Sequence, residues 1–256
     1  MKIKAMCSLA LMVAAVILLV TSVPVHASKM DDGIESSARK SYVFKTYLKG
    51  DDIKIHSKDG VVSLTGTVSE ESHKSLAQET VAGLPGVKSV DNRLEVKGER
   101  PAEKSDAWLT AKVKTALLFH RNVSALTEVD TKDGIVTLKG DAASQAQKDL
   151  TTEYVKNVVG VKDVRNEMAV SKASKKTGRT AGEKIDDASI TAQVKMALLL
   201  HRSTSALNTK VATKDGAVTV SGKAGNAAEK AMVTKLVKDV KGVKNVKNQM
   251  TIEKVK

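Results

Sequence analysis

The chain has 256 residues, 28% of them charged, a formal charge of +13 and only 2% aromatic residues. So few aromatic rings leave little to stack on nucleic-acid bases, and a nucleic-acid partner is not expected despite the basic balance. The single cysteine, Cys7, excludes an internal disulfide, and because it lies in an N-terminal segment with the pattern of a cleaved signal, the mature chain has no thiolate to offer a metal.

At the N-terminus, Lys2 and Lys4 precede an apolar run from Leu9 to Val20, and Val25-His26-Ala27 places small residues at −3 and −1 before Ser28. This is the pattern of a secretory signal peptide, residues 1–27, cleaved after Ala27. An uncleaved anchor is the alternative, because Ala5 to Val23 approaches spanning length. Cys7 stands before the apolar run, the wrong side for a lipoprotein anchor. Cleavage removes two lysines and no acid, leaving 40 − 29 = +11 on the mature chain.

From Ser28 the chain repeats itself. Lys58-Asp59-Gly60-Val61-Val62-Ser63-Leu64-Thr65-Gly66 returns as Lys132-Asp133-Gly134-Ile135-Val136-Thr137-Leu138-Lys139-Gly140, and as Lys214-Asp215-Gly216-Ala217-Val218-Thr219-Val220-Ser221-Gly222. Asp-Gly suits a turn of positive φ, and the alternation after it suits a half-buried strand. A second element, Gly86-Val87-Lys88-Ser89-Val90-Asp91-Asn92, returns from Gly160 to Asn166 and from Gly242 to Asn248. The step between the two glycines is 26 each time (86 − 60, 160 − 134, 242 − 216). An internal triplication follows.

In repeat one, residues 28–97, Ile34, Ala38, Ser41 and Tyr42 form a helical stripe. Strands around Ile53–Ile55 and Val61–Val68 flank the turn. A helix then carries Leu76, Thr80, Val81 and Leu84 until Pro85-Gly86 stops it, and a strand carries Val87, Val90, Leu94 and Val96. A polar linker, residues 98–105, leads to repeat two, residues 106–170. Its first helix shows Leu109, Val113, Ala116 and Leu117, with Asp106 as the expected N-cap. Strands near Val129 and at Ile135–Leu138, a helix with Leu150, Tyr154, Val155 and Val158, and a strand with Val161, Val164, Met168 and Val170 complete it. The linker 171–188 is basic, polar and aperiodic, so flexibility is expected. Repeat three, residues 189–256, follows repeat two closely, from Ile190-Thr191-Ala192 to His201-Arg202 against Leu109-Thr110-Ala111 to His120-Arg121.

The expected fold is α+β: three tandem α-β-β-α-β domains, each with two helices packed on a small three-stranded mixed sheet. Gly60, Gly134 and Gly216, with Gly86, Gly160 and Gly242, are structural turn residues in this reading.

This order, the Asp-Gly-x-Val-Thr-Leu-x-Gly element and the later Gly-Val-x-x-Val-x-Asn element resemble the BON domain family (bacterial OsmY and nodulation), in its exported, OsmY-like branch. The resemblance covers nearly all of the mature chain except the linkers. It implies a cell-envelope protein, usually periplasmic, associated with osmotic stress or membrane integrity, with phospholipid as its proposed ligand. Envelope proteins are the other class of partner, in an interaction or chaperone-like role for three units on flexible linkers.

No enzyme constellation is visible, and no cofactor or metal is expected. The glycines are isolated at turns, and the histidines find no ligand partners at metal spacing. His120 and His201, each followed by arginine, read as solvated helix C-termini. Charge is more informative. Repeats one and two are balanced, at 11 basic against 11 acidic residues and nine against nine, whereas Ser189–Lys256 holds 13 against four. On a helical wheel Lys230, Lys235, Lys238 and Lys241 share an arc opposite Met232, Val233, Leu236, Val237 and Val240, and such a strip could meet an anionic phospholipid surface. Trp108, the only tryptophan, is the second candidate for membrane contact, with packing inside the fold as the alternative.

Overall fold

A computed structural model of the chain describes residues 24–98, 101–123, 127–171, 184–204 and 209–252. Residues 1–23, which carry most of the expected signal peptide, lie outside it, as does most of the second linker. Each repeat has the expected α+β order.

Repeat one contains α1 (Pro24–Lys40), α2 (Tyr42–Thr46), β1 (Asp52–Lys58), β2 (Val61–Val68), α3 (Glu71–Ala82) and β3 (Ser89–Val96). β2 is central, antiparallel to β1 and parallel to β3. Repeat two contains α4 (Asp106–Leu118), β4 (Glu128–Lys132), β5 (Ile135–Lys139), β6 (Asp141–Ala142), α5 (Gln145–Lys156), β7 (Asp163–Asn166) and β8 (Ala169–Val170). Repeat three contains α6 (Asp187–Leu200), β9 (Thr209–Lys214), β10 (Ala217–Ala224), α7 (Ala227–Asp239), β11 (Asn245–Asn248) and β12 (Thr251–Ile252). The hairpin is antiparallel and the helical crossover returns a parallel strand in every copy.

Both residues of each Asp-Gly turn have positive φ: 54° and 80° at Asp59-Gly60, 55° and 80° at Asp133-Gly134, 53° and 80° at Asp215-Gly216. This is the twist that a two-residue hairpin needs. A first-helix carboxylate holds each turn. Asp31, Asp106 and Asp187 accept from the paired amides of Asp59 and Gly60, Asp133 and Gly134, and Asp215 and Gly216, at 2.7–3.0 Å. Asp106 is therefore not the N-cap expected. Ser105 takes that place and accepts from the Trp108 amide, while Asp106 reaches across to the hairpin. Likewise α6 begins at Asp187, within the expected linker, because Asp186 caps it and Asp187 grips the turn.

The repeated asparagine has an equally specific task. Asn166 Nδ2 donates to Lys148 O and Thr152 Oγ1 on α5, while its Oδ1 accepts from Met168 N. Asn248 does the same with Lys230, Thr234 and Met250. Each ties the last strand to the second helix, as Asn92 does in repeat one through Lys74, Gln78 and Leu94. Gly242 lets α6 approach, since a Cβ there would lie 2.9 Å from Ile190 Cγ1. Its φ of 87°, like 88° at Gly86 and 104° at Gly160, is one that a side chain disfavours.

The helical stripe of repeat one breaks early. Ser41 is buried, donates to Ala38 O and caps α2, so Tyr42 opens a new helix. Pro24 to Ala27 form the first turn of α1. Cleavage after Ala27 would shorten that helix and leave Asp31 in place.

Candidate functional site

The repeats are packed directly on one another, a relation the sequence alone leaves open. α6 is the centre. Eleven of its 14 residues are buried, including Gln193 at 0% exposure. Repeat one lies on it through two backbone amides, Tyr42 N to Asp186 Oδ2 at 2.8 Å and Val43 N to Ser189 Oγ at 3.1 Å, and through the Lys195–Glu79 pair at 2.6 Å. Tyr42, Tyr47 and Phe119 stack edge to face, with centroids 5.7 Å apart, and so link repeats one and two.

Repeats two and three meet in a local two-fold seam. His120 bridges to Val240, and Val158 to His201, both antiparallel. Arg121 Nη2 donates to Val240 O and Val243 O at 2.9 and 2.7 Å. Arg202 Nη2 donates to Val158 O and Val161 O at 3.3 and 2.7 Å. Lys241 N reaches Phe119 O, and Val159 N reaches Leu200 O. The arrangement is isologous, as in a symmetric dimer, but inside one chain. Repeat one cannot join it in the same way: Pro85 stands where Val159 and Lys241 donate, and proline has no N–H.

His120 and His201 are thus not solvated helix ends. They are 3% and 8% exposed, because the helix ends carrying them are buried against the neighbouring repeat. His120 stacks on Tyr154, with centroids 3.7 Å apart, and its Nδ1 lies 3.0 Å from Asp239 Oδ2. The Tyr154 hydroxyl donates to the same carboxylate, and burial first, then that bond, pushes the phenol well up. His201 faces Arg202 and His120 instead, and its Nδ1 accepts from the Ser203 amide at 3.2 Å. Burial, then the His120 and Arg202 charges, holds His201 below the ordinary histidine value.

The lysine arc is only partly preserved. Lys235 and Lys238 are exposed on α7, and Lys230 is half-buried. Lys241 is separated from them. α7 ends at Asp239, Val240 is extended, and Lys241 enters the seam, where burial lowers its ammonium. Trp108 is half-buried against the core of repeat two, with Lys112 Nζ 4.4 Å above its ring.

Among the described residues, no three His, Cys, Asp or Glu side chains could together hold a metal, and no helix is long and apolar enough to cross a membrane. Ser69, His73 and Asp51 have the composition of a hydrolase triad but not its geometry. Both Ser69 Oγ, at 3.1 Å, and Asp51 Oδ2, at 2.6 Å, approach the same ring nitrogen, Nδ1. A triad needs the two on opposite nitrogens. A cleft of about 390 Å³ lies between α3, α6 and β9, lined by residues that include Ser75, Glu79, Lys195, Met196 and Val211.

Two residue sets escaped the sequence reading: the turn-holding aspartates and the seam arginines. The aspartates recur 28 or 29 residues before their turn glycine, and the arginines recur in His-Arg pairs. Recurrence was visible, but the partners were not.

The fold and its contacts define a tandem array of small α-β-β-α-β modules joined into one body. The BON domain family matches residues 30–98, 105–172 and 186–254, and the chain belongs to that family. It is 32% identical over 143 residues to the osmotically-inducible protein Y of Escherichia coli strain K12, covering 54% of this chain and 71% of that one. It is 33% identical over 116 residues to a 21 kDa hemolysin of Actinobacillus pleuropneumoniae, covering 44% and 59%. The C-terminal domain of CdsD, a type III secretion protein of Chlamydia trachomatis, shares 17% identity over 91% of this chain and 99% of that one, with a TM-score of 0.24, too low to carry an argument.

Proposed function

We propose that this chain is a non-enzymatic cell-envelope protein of the periplasm that docks on anionic phospholipid surfaces and supports envelope integrity under osmotic stress. The observation that carries the docking is the charge asymmetry: one fold is used three times, and the whole excess lies beyond residue 170. Repeat three holds 13 − 4 = +9, where repeats one and two hold zero. The osmotic role is supported by the similarity to the osmotically-inducible relative, and the location by the N-terminal signal pattern.

The magnitude is modest. A lysine near an anionic bilayer contributes about 1 kcal/mol, so four give about 4 kcal/mol, a dissociation constant on the order of millimolar, sensitive to salt. Residues 28–256 are expected to pellet with vesicles containing phosphatidylglycerol at low salt, to be released at high salt, and not to pellet with phosphatidylcholine alone. Equal pelleting with both lipids, or with neither, would contradict the reading.

A further inference from the structure

The helices cover one face of each sheet and leave the other open. In repeat three the strand register fixes what the open face carries. Ala217 pairs with Lys214, Thr219 with Ala212 and Ser221 with Lys210. On the other side Thr219 pairs with Lys247. Paired positions project to the same face, while Val218, Val220 and Ala224 point into the core. The open face therefore bears Lys210, Lys214 and Lys247, all exposed, and among the described residues of β9, β10 and β11 no carboxylate.

The equivalent faces differ. In repeat one Lys54, Lys58 and Arg93 share the face with Asp52, Asp91 and Glu95, and Arg93 pairs with Asp91 at 2.6 Å. In repeat two Lys132, Lys139 and Arg165 share it with Glu128, Asp130 and Asp163. The fold accepts a mixed face twice, so it does not require the uniformly cationic one.

We infer that the open sheet face of repeat three is the surface that meets anionic lipid headgroups; this rests on the docking function proposed above and names its face. Strands rise about 3.3 Å per residue and lie about 4.8 Å apart, so Lys210 and Lys214 are roughly 13 Å apart and Lys247 roughly 10 Å across from their strand. Charge spread over such a patch suits an extended anionic plane better than one small anion. Ala212, Ala217, Thr219 and Ser221 lie between the lysines and are small enough to let a surface come close. The face has no arginine to clamp a phosphate and no ring to stack on a base. α7 packs on the opposite side of this sheet, through Val233, Leu236 and Val237, so one plane cannot meet both sets of lysines. The α7 surface also carries Glu229, while Asp239 is taken up in the seam.

The test compares residues 28–256 with three variants of equal charge loss: Lys210→Gln/Lys214→Gln/Lys247→Gln on the sheet, Lys230→Gln/Lys235→Gln/Lys238→Gln on α7, and Lys54→Gln/Lys58→Gln/Lys132→Gln on the other repeats. Each is pelleted with phosphatidylglycerol–phosphatidylcholine vesicles at low salt, after its thermal midpoint is shown to match the parent. The sheet variant is expected to lose about a hundredfold in partitioning, the equivalent of three lysines at about 1 kcal/mol each, and the third variant little. Equal losses in all three would show that net charge, not this face, matters. Loss in the α7 variant alone would place the contact on the helix. Either result overturns the inference and leaves lipid docking intact. Failure of the parent to pellet removes both.

Discussion

The carboxylate of Asp187 accepts two amide hydrogen bonds, from Asp215 at 2.7 Å and Gly216 at 2.8 Å, and so holds a turn whose two residues both sit at positive φ. Hydrogen bonds to charged groups are worth about 1.5–3 kcal/mol when buried and less when wet, so Asp187→Ala should cost about 2 kcal/mol, read as a lower midpoint in urea. Asn248 makes three bonds from one amide group, to Lys230, Thr234 and Met250. Asn248→Ala should cost a similar amount, about 2 kcal/mol, by leaving the Met250 amide and the end of β11 without their partner. Asn248→Asp should also destabilise, because a carboxylate cannot donate to Lys230 O.

At the scale of elements, the seam depends on helix ends that become extended strand. The Lys241 amide donates to Phe119 O, and Pro85 shows the residue that forbids this. Lys241→Pro should therefore loosen the joint between repeats two and three, with faster amide exchange at Arg121 and Val159 and little change in repeat one. The seam should also respond to acid. His201 is held neutral by burial, accepts from Ser203 N through Nδ1, and faces Arg202 and His120. Its value is depressed in the folded chain, so its contribution is present above the ordinary histidine value and is lost as pH falls through the folded one. Thermal midpoints should fall as the pH drops below about 6.5, the ordinary histidine value, and His201→Asn should flatten that decline. The elements themselves could be read from the sequence: alternation around Asp-Gly located β2, β5 and β10, and apolar spacing located every main helix. The caps and joints could not. Asp106 looked like an N-cap because its hairpin partner is 28 residues away from it, at Gly134. His120 looked solvated because the group that buries it, around Asp239, is 119 residues away. A lysine wheel extended to Lys241 assumed a helix that stops at Asp239.

Over the whole molecule, three copies of one fold have taken different positions. Repeat three supplies the central helix, repeat two mirrors it across the seam, and repeat one, barred by Pro85 from that joint, leans on α6 through α2 and α3. The sequence carries a trace of this in α6. Gln193 stands where repeat two has Lys112, and Met196 where it has Thr115, so a charge and a hydroxyl are replaced on the faces that the neighbours cover. The packing leaves the sheet of repeat three open and cationic. Its centre, Thr219, offers the most direct test of docking, since residues 28–256 contain no cysteine and a single introduced thiol can be labelled alone. An environment-sensitive fluorophore on Thr219→Cys should shift to the blue on adding phosphatidylglycerol vesicles and return on adding salt. The same label on Thr137→Cys, the equivalent position in repeat two, should not shift. Equal shifts at both positions, or a shift at Thr137→Cys alone, would contradict docking through repeat three.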